Sequence, residues 1–182
     1  MNDSASVVFR DMLFGALAAI IVVLIFLINP PDRKNEAELP GNLVVSIFWP
    51  EGSIDVDLWL TAPGEPAPVG FSNKDGRVWN LLRDDLGLTA DLVPLNFENA
   101  YSRGMPVGRY TVNVFCFRCT VGPFDVIVKI ERKKEDGSLV IVKEGTITLS
   151  YTREEKTFLN FNVNGEGKIV NLNQVQRKLF LP

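Results

Sequence analysis

Carboxylates carry most of the chemistry open to this sequence, because its 182 residues include no histidine. That absence excludes Ser-His-Asp and Cys-His nucleophile systems and most zinc sites. Two sets of carboxylates have informative positions: Asp11, directly before a long apolar run, and a group of acidic residues between positions 55 and 98. No phosphate-binding loop, nucleophile elbow or catalytic carboxylate pair accompanies them in the sequence, so we expect that the protein is not an enzyme. The slightly acidic balance, 19 Lys+Arg against 22 Asp+Glu, argues against a nucleic-acid partner.

The apolar run from Met12 to Ile28 approaches the ~30 Å of a bilayer core, since a helix rises ~1.5 Å per residue. We expect a transmembrane helix over residues 12–29 that ends at Pro30-Pro31, because proline lacks the amide hydrogen that a helix needs. A cleaved signal peptide is the alternative. The length of the run, the acidic residues before it and the absence of an A-x-A cleavage site favour a retained anchor. Since only a short tail precedes the helix, we expect the N-terminus in the cytoplasm.

Small residues follow Asp11 at helical spacing. Gly15, Ala18 and Ala19 come four, seven and eight residues later, which places them on the same helical face as Asp11. Gly15 and Ala19 form a small-xxx-small pattern, which favours close approach of a second helix. The alternative is a solvated carboxylate at the level of the lipid headgroups. The segregation of small residues beneath the acid favours an Asp11 held against a protein neighbour, where ionisable groups often pair or carry ions.

The segment FRDMLFG, residues 9–15, resembles the B subunits of ion-driven motors, the ExbD, TolR and flagellar MotB-type stator proteins. In that family a short cytoplasmic tail precedes one helix with an Asp near its cytoplasmic end, and two copies lie inside a pentameric ExbB/TolQ/MotA-type ring. The resemblance implies that Asp11 carries H⁺ or Na⁺ and that the chain is a homodimer in a bacterial inner membrane. It also implies that the periplasmic domain transmits motion to peptidoglycan or an envelope protein. The alternative is a membrane-anchored periplasmic binding module with no ion transport.

Four segments follow from these patterns: a cytoplasmic tail (1–11), the transmembrane helix (12–29), a charged linker (30–41) and a periplasmic domain (42–182). In the last segment, short runs with period two alternate with turns rich in Gly, Pro and Asp, which predicts β-strands. Eight or more such strands predict a mainly β fold, an antiparallel β-sandwich. Residues 79–85 are the only helical suggestion in the domain. The predicted strands cover residues 43–49, 54–60, 109–117, 124–131, 140–143, 146–151, 157–163 and 169–172.

Part of this domain resembles YfaP-like and bacterial pre-peptidase-type β-sandwich domains. The similarity lies in the order of SIDVDLWL at 53–60, the acidic pair at 84–85, FENA at 97–100 and P-x-G-x-Y-x-V at 106–112. Some related sandwiches bind calcium at acidic loops, and carboxylate oxygens suit Ca²⁺. In the alternative, which the absence of EF-hand-like spacing favours, Asp55 and Asp57 point to one face of their strand and hydrogen-bond loop backbone. The ligands that the resemblance implies are Asp55, Asp57, Asp84, Asp85 and Glu98.

Cys116 and Cys119 form a C-x-x-C motif. A four-ligand zinc site would need two further cysteines or histidines, which the chain does not contain. We expect a structural disulfide that closes a turn after an exported strand, in an oxidising compartment. Thiol redox chemistry is the alternative. The apolar C-terminus, residues 179–182, is either a last strand or a partner-binding tail.

Overall fold

The computed structural model describes residues 3–28, 42–87 and 95–180. By their contacts, the residues divide into two compact units, an N-terminal helical unit and a C-terminal β unit. The fold class predicted from the sequence is confirmed: one N-terminal apolar helix precedes antiparallel sheets that form a sandwich. The predicted linker, residues 30–41, lies outside the described residues.

Helix α1 runs from Asp3 to Ile28. It starts well before the span of 12–29 that the apolar run predicts, because no proline or glycine between residues 3 and 11 interrupts the helical backbone. Asp11 therefore lies inside the helix and does not precede it. The stretch from Ser6 to Leu24, with a mean hydropathy of 2.3, is long and apolar enough to cross a membrane.

The β unit contains nine strands within the described residues, arranged in two sheets. Sheet A has five strands in the order β3-β4-β1-β6-β7, and sheet B has four in the order β2-β5-β8-β9, all paired antiparallel. Strand β2 is thus an edge strand of sheet B. The bounds are β1 Leu43–Trp49, β2 Asp55–Thr61, β3 Trp79–Arg83, β4 Asn96–Ser102, β5 Gly108–Arg118, β6 Phe124–Lys133, β7 Leu139–Leu149, β8 Glu155–Val163 and β9 Ile169–Asn173.

The core lies between the inward faces of the two sheets. In β1, Leu43, Val45 and Ile47 are fully buried, while Val44 and Ser46 are half-buried and Phe48 is exposed. This period of two is the pattern expected for a strand with one face on the core. Opposite them, sheet B contributes large side chains such as Tyr110 and Phe161. Burial of each large apolar side chain stabilises the fold by roughly 1.5–3 kcal/mol.

Three parts of the strand prediction are wrong, the first being that it contains no strand over residues 96–102, where the structure has β4. The predicted helical segment 79–85 contains strand β3, because Trp79 and Leu81 pair with β4, opposite Ser102 and Ala100. The pairing with a neighbouring strand outweighs the weak helical pattern of these few residues. The predicted strands 140–143 and 146–151 belong to one strand, β7, because Glu144 and Gly145 pair with β6 and join them, although the register shifts between Ile141 and Lys143.

Candidate functional sites on the helix and at the edge of the sandwich

The first candidate site is the face of α1 that carries Asp11. Since α1 is one continuous helix, Gly15, Ala18 and Ala19 share this face with Asp11. The side chains from Ser6 to Leu24 are exposed, and a Cβ added at Gly15 would meet no atom within 4 Å. This face therefore combines one carboxylate with open space for a close-packed neighbour, the arrangement that small-residue helix contacts use.

The second candidate site lies at the outer edge of β2, where sheet B meets sheet A. The side chain of Glu98 extends from the inner face of β4, and its Oε2 accepts a hydrogen bond of 2.8 Å from the backbone N–H of Leu58 in β2. Its Oε1 accepts a longer bond of 3.4 Å from the N–H of Asp85. Glu98 thus connects the two sheets and the segment that follows β3.

Three of the five predicted ligands converge at this edge. Asp57, Asp84 and Glu98 each offer a carboxylate oxygen, and these oxygens all lie within 4.8 Å of one another. Asp57 and Glu98 are buried, with exposed fractions of 2% and 0%, and the side chain of Asp84 is 16% exposed. We call these three residues the carboxylate cluster.

Burial controls the protonation of the cluster. It is the main cause that raises the pKa of Asp57 to about 8, and the negative charges of Asp55 and Asp84 add to the effect. Burial also raises the pKa of Glu98 well above its usual value, aided by Asp57 and only partly opposed by the hydrogen bond from Leu58. The charged forms of both side chains are therefore disfavoured unless a cation balances them.

The other two predicted ligands lie beside the cluster with different partners. Asp85 accepts hydrogen bonds from Arg83 at 2.8 Å, from Gly87 N–H at 3.0 Å and from Phe97 N–H at 3.2 Å. Burial raises its pKa, but these hydrogen bonds outweigh that and leave it lowered. Asp85 thus binds loop backbone, the role that the alternative reading assigned to Asp55 and Asp57.

Asp55 lies 3.9 Å from Arg118, measured from Oδ2 to Nη2. Its pKa is raised, chiefly by burial, with Arg118 opposing the shift. Its other oxygen, Oδ1, is buried and has no hydrogen-bond partner. Asp55 and Asp57 both occur on β2, and no hydrogen bond of the kind that the alternative expected joins either side chain to the backbone of a loop within residues 42–87 and 95–180.

Three residues that position the site were not identified from the sequence. Arg83 donates to the Phe97 carbonyl at 3.2 Å and lies over the Phe97 ring at 4.2 Å, which fixes the segment after β3. Lys74 forms an ion pair of 2.7 Å with Oδ2 of Asp84. Gly87 lies against the backbone of Ile54. No spacing in the sequence indicates these contacts, since each joins residues at least ten positions apart along the chain.

Cys116 and Cys119 are joined by a disulfide at the end of β5. Cys116 is fully buried in the core, and Cys119 packs against it from the turn. The N–H of Cys119 also receives support from Thr152, whose Oγ1 accepts its hydrogen bond at 3.0 Å. Both cysteines therefore contact the folded domain: Cys116 lies in the core, and Cys119 packs against it.

The chain matches no protein-family model, no curated protein and no solved structure. The resemblances to motor subunits and to calcium-binding sandwiches thus stay predictions from the residues quoted for them.

Proposed function

We propose that this protein is the B-type subunit of an ion-driven membrane motor, in which Asp11 carries H⁺ or Na⁺. The observation that carries the proposal is the position of Asp11 within α1, inside the stretch Ser6–Leu24 that is apolar enough to span a membrane. An ionisable side chain in such a stretch is costly, and it is typically retained for ion transport or for pairing with a partner.

The small-residue face supports the same function. A homodimer of α1 inside a pentameric partner ring needs close helix contacts near Asp11, and Gly15 leaves that space open. The ring subunit would bring the groups that bind and release the ion at the carboxylate. The β-sandwich, in a periplasmic location, would transmit the motion to an envelope target.

The test is ion flux through the reconstituted complex. The tagged full-length chain is purified in mild detergent from membranes of its source organism, together with its polytopic partner, and placed in vesicles under a pH or Na⁺ gradient. We expect Asp11→Asn to reduce flux to the level of protein-free vesicles, because an amide does not bind and release a proton. Asp11→Glu should retain part of the flux.

Asp3→Asn is the matched control, since Asp3 is the other acidic residue of α1. It should conduct like the wild type. Wild-type vesicles without flux, or equal flux in Asp11→Asn, would show that α1 does not carry ions. If the chain still resisted carbonate extraction from the membrane, the result would favour an anchored binding module.

A further inference from the structure

An unpartnered carboxylate oxygen lies in the carboxylate cluster. Asp57 is 2% exposed, and its buried Oδ2 has no hydrogen-bond partner. The neighbouring groups that act on Asp57 are the acidic residues Asp55 and Asp84, not basic ones. A buried carboxylate without a partner is strongly unfavourable, so a proton or a cation must neutralise this site.

Among the described residues around the cluster, two negative charges have no basic partner, and one divalent cation would balance them. Three basic side chains pair with acidic ones here: Lys74 with Asp84, Arg83 with Asp85 and Arg118 with Asp55. Asp57 and Glu98 have no basic partner among the described residues, which leaves two negative charges when all these groups are ionised. The carboxylate of Asp84 pairs with Lys74 through Oδ2 and also forms a hydrogen bond with Glu98, which requires a proton on one of these two groups, and calcium would displace that proton.

The distances and the donor type select the ion. Calcium binds hard oxygen donors at ~2.3–2.6 Å, so two of its ligands lie at most about 5 Å apart. The three oxygens of the cluster, within 4.8 Å of one another, meet that limit. Nitrogen and sulfur donors, which zinc prefers, are absent because the chain has no histidine and both cysteines are in the disulfide.

We propose that Asp57, Asp84 and Glu98 bind one calcium ion that links the two sheets at the outer edge of β2. The resemblance described above implies five ligands, whereas the geometry selects three and gives Asp55 and Asp85 to Arg118 and Arg83. Since Asp57 belongs to β2 of sheet B and Glu98 to β4 of sheet A, the ion joins strands that no backbone ladder connects. The proposal concerns the sandwich alone and is independent of ion transport at Asp11.

The test measures calcium binding and thermal unfolding of the full-length chain in detergent micelles. All three tryptophans lie in the sandwich, at positions 49, 59 and 79, so their fluorescence reports the unfolding of this unit. After EDTA treatment and dialysis, calcium at about a hundred times its Kd should raise the Tm by roughly 5–10 °C. Titration calorimetry should give one site per chain, with weaker binding of Mg²⁺, which demands stricter octahedral geometry.

Asp57→Asn and Asp84→Asn should each weaken calcium binding at least about tenfold and remove the Tm shift. The second variant keeps the test valid if the first fails to fold, since Asp84 is the least buried of the three.

Asp125→Asn is the matched control: Asp125 is exposed on β6, and its carboxylate accepts a hydrogen bond from Thr148. It should bind calcium like the wild type. No binding of calcium by the wild type at millimolar concentration, or equal binding by all variants, would overturn the proposal and indicate that protons neutralise the cluster.

Discussion

Gly87 lies where the segment after β3 passes the outer edge of β2. Its φ of +58° is in the left-handed region, and a Cβ built there would lie 1.7 Å from the carbonyl oxygen of Ile54. Its N–H donates to Asp85, which in turn binds Arg83. One residue without a side chain thus lets the acidic segment approach β2, and this approach brings Asp84 to Asp57.

We expect Gly87→Ala to destabilise the sandwich by about 3 kcal/mol. The strained φ accounts for ~1 kcal/mol and the contact with Ile54 for ~2 kcal/mol, because backbone atoms on both sides must shift. The measurement is urea unfolding of the full-length chain in detergent, followed by tryptophan fluorescence.

Gly137→Ala is the control for this experiment. Gly137 has a φ of +84° in the turn between β6 and β7, but a Cβ there would meet nothing within 4 Å. This variant should cost only about 1 kcal/mol, the conformational part. Equal losses for both variants would mean that the approach to Ile54 is not what requires glycine at position 87.

At the scale of single elements, the chain after β9 covers the outer face of sheet B. Glu155 of β8 accepts hydrogen bonds from the N–H groups of Leu179, at 2.7 Å, and Phe180, at 3.2 Å. The ring of Phe180 stacks on Phe115 at 4.4 Å and meets Trp59 edge-on at 5.4 Å. Up to residue 180, the C-terminal segment is thus neither a last strand nor free for a partner, since it packs on its own sheet.

Phe180→Ala should destabilise the sandwich by about 2 kcal/mol, because it removes a half-buried ring from three aromatic neighbours, Trp59, Phe71 and Phe115. It should also shift tryptophan emission to longer wavelength, since Trp59 becomes more exposed to water. Phe117→Ala is the matched control. The ring of Phe117 lies 5.5 Å from that of Phe71, which itself packs on Trp59, but Phe117 is 46% exposed. Removal of the Phe117 ring should therefore lower the free energy of unfolding by less than about 1 kcal/mol. A free energy of unfolding equal to that of the wild type in Phe180→Ala would show that the segment is not held by this ring.

Sequence reasoning succeeded for elements whose signal is local. Residues 43–49 predicted β1 with its observed bounds, because a short run rich in β-branched and aromatic residues lies between turn residues. Strand β4 was missed, since its inward face carries Asn96, Glu98 and Ser102 beside a single alanine, and buried polar residues hide the pattern. The five acidic residues were identified from the sequence. Which three of them converge depends on a contact between Glu98 and Leu58, 40 positions apart, and no local pattern encodes that contact.

At the scale of the whole molecule, Tyr110 connects the sheets through the middle of the core. It belongs to β5 of sheet B, stacks on Phe161 at 4.9 Å and meets Trp79 of sheet A edge-on at 6.3 Å. Its side chain is fully buried, and its hydroxyl donates a hydrogen bond of 2.8 Å to the carbonyl of Pro106. Burial raises the pKa of this phenol, because a phenolate would lose its hydration inside the core.

Because the pKa of Tyr110 is raised in the folded chain, the free energy of unfolding of the sandwich decreases as the pH rises into the alkaline range. The unfolded chain releases the tyrosine proton near its ordinary pKa of ~10, whereas the folded chain keeps the proton. The stabilisation is therefore complete below about pH 10 and decreases as the pH rises above that value. At pH 11 it should have fallen by about 1.4 kcal/mol, the equivalent of one pH unit.

Tyr110→Phe separates this effect from the general loss of stability in alkali, because other titrating groups are common to both proteins. At pH 7 the variant should be about 1 kcal/mol less stable, since it lacks the hydrogen bond to Pro106. Between pH 9 and pH 11 the wild type should lose this advantage, so that the two free energies of unfolding meet near pH 11. Urea unfolding in detergent, followed by tryptophan fluorescence at each pH, measures the difference.

Tyr151→Phe, at a position that is 61% exposed, is the control and should match the stability of the wild type at every pH. A difference between Tyr110→Phe and the wild type that stayed constant with pH would mean that the folded core tolerates the phenolate.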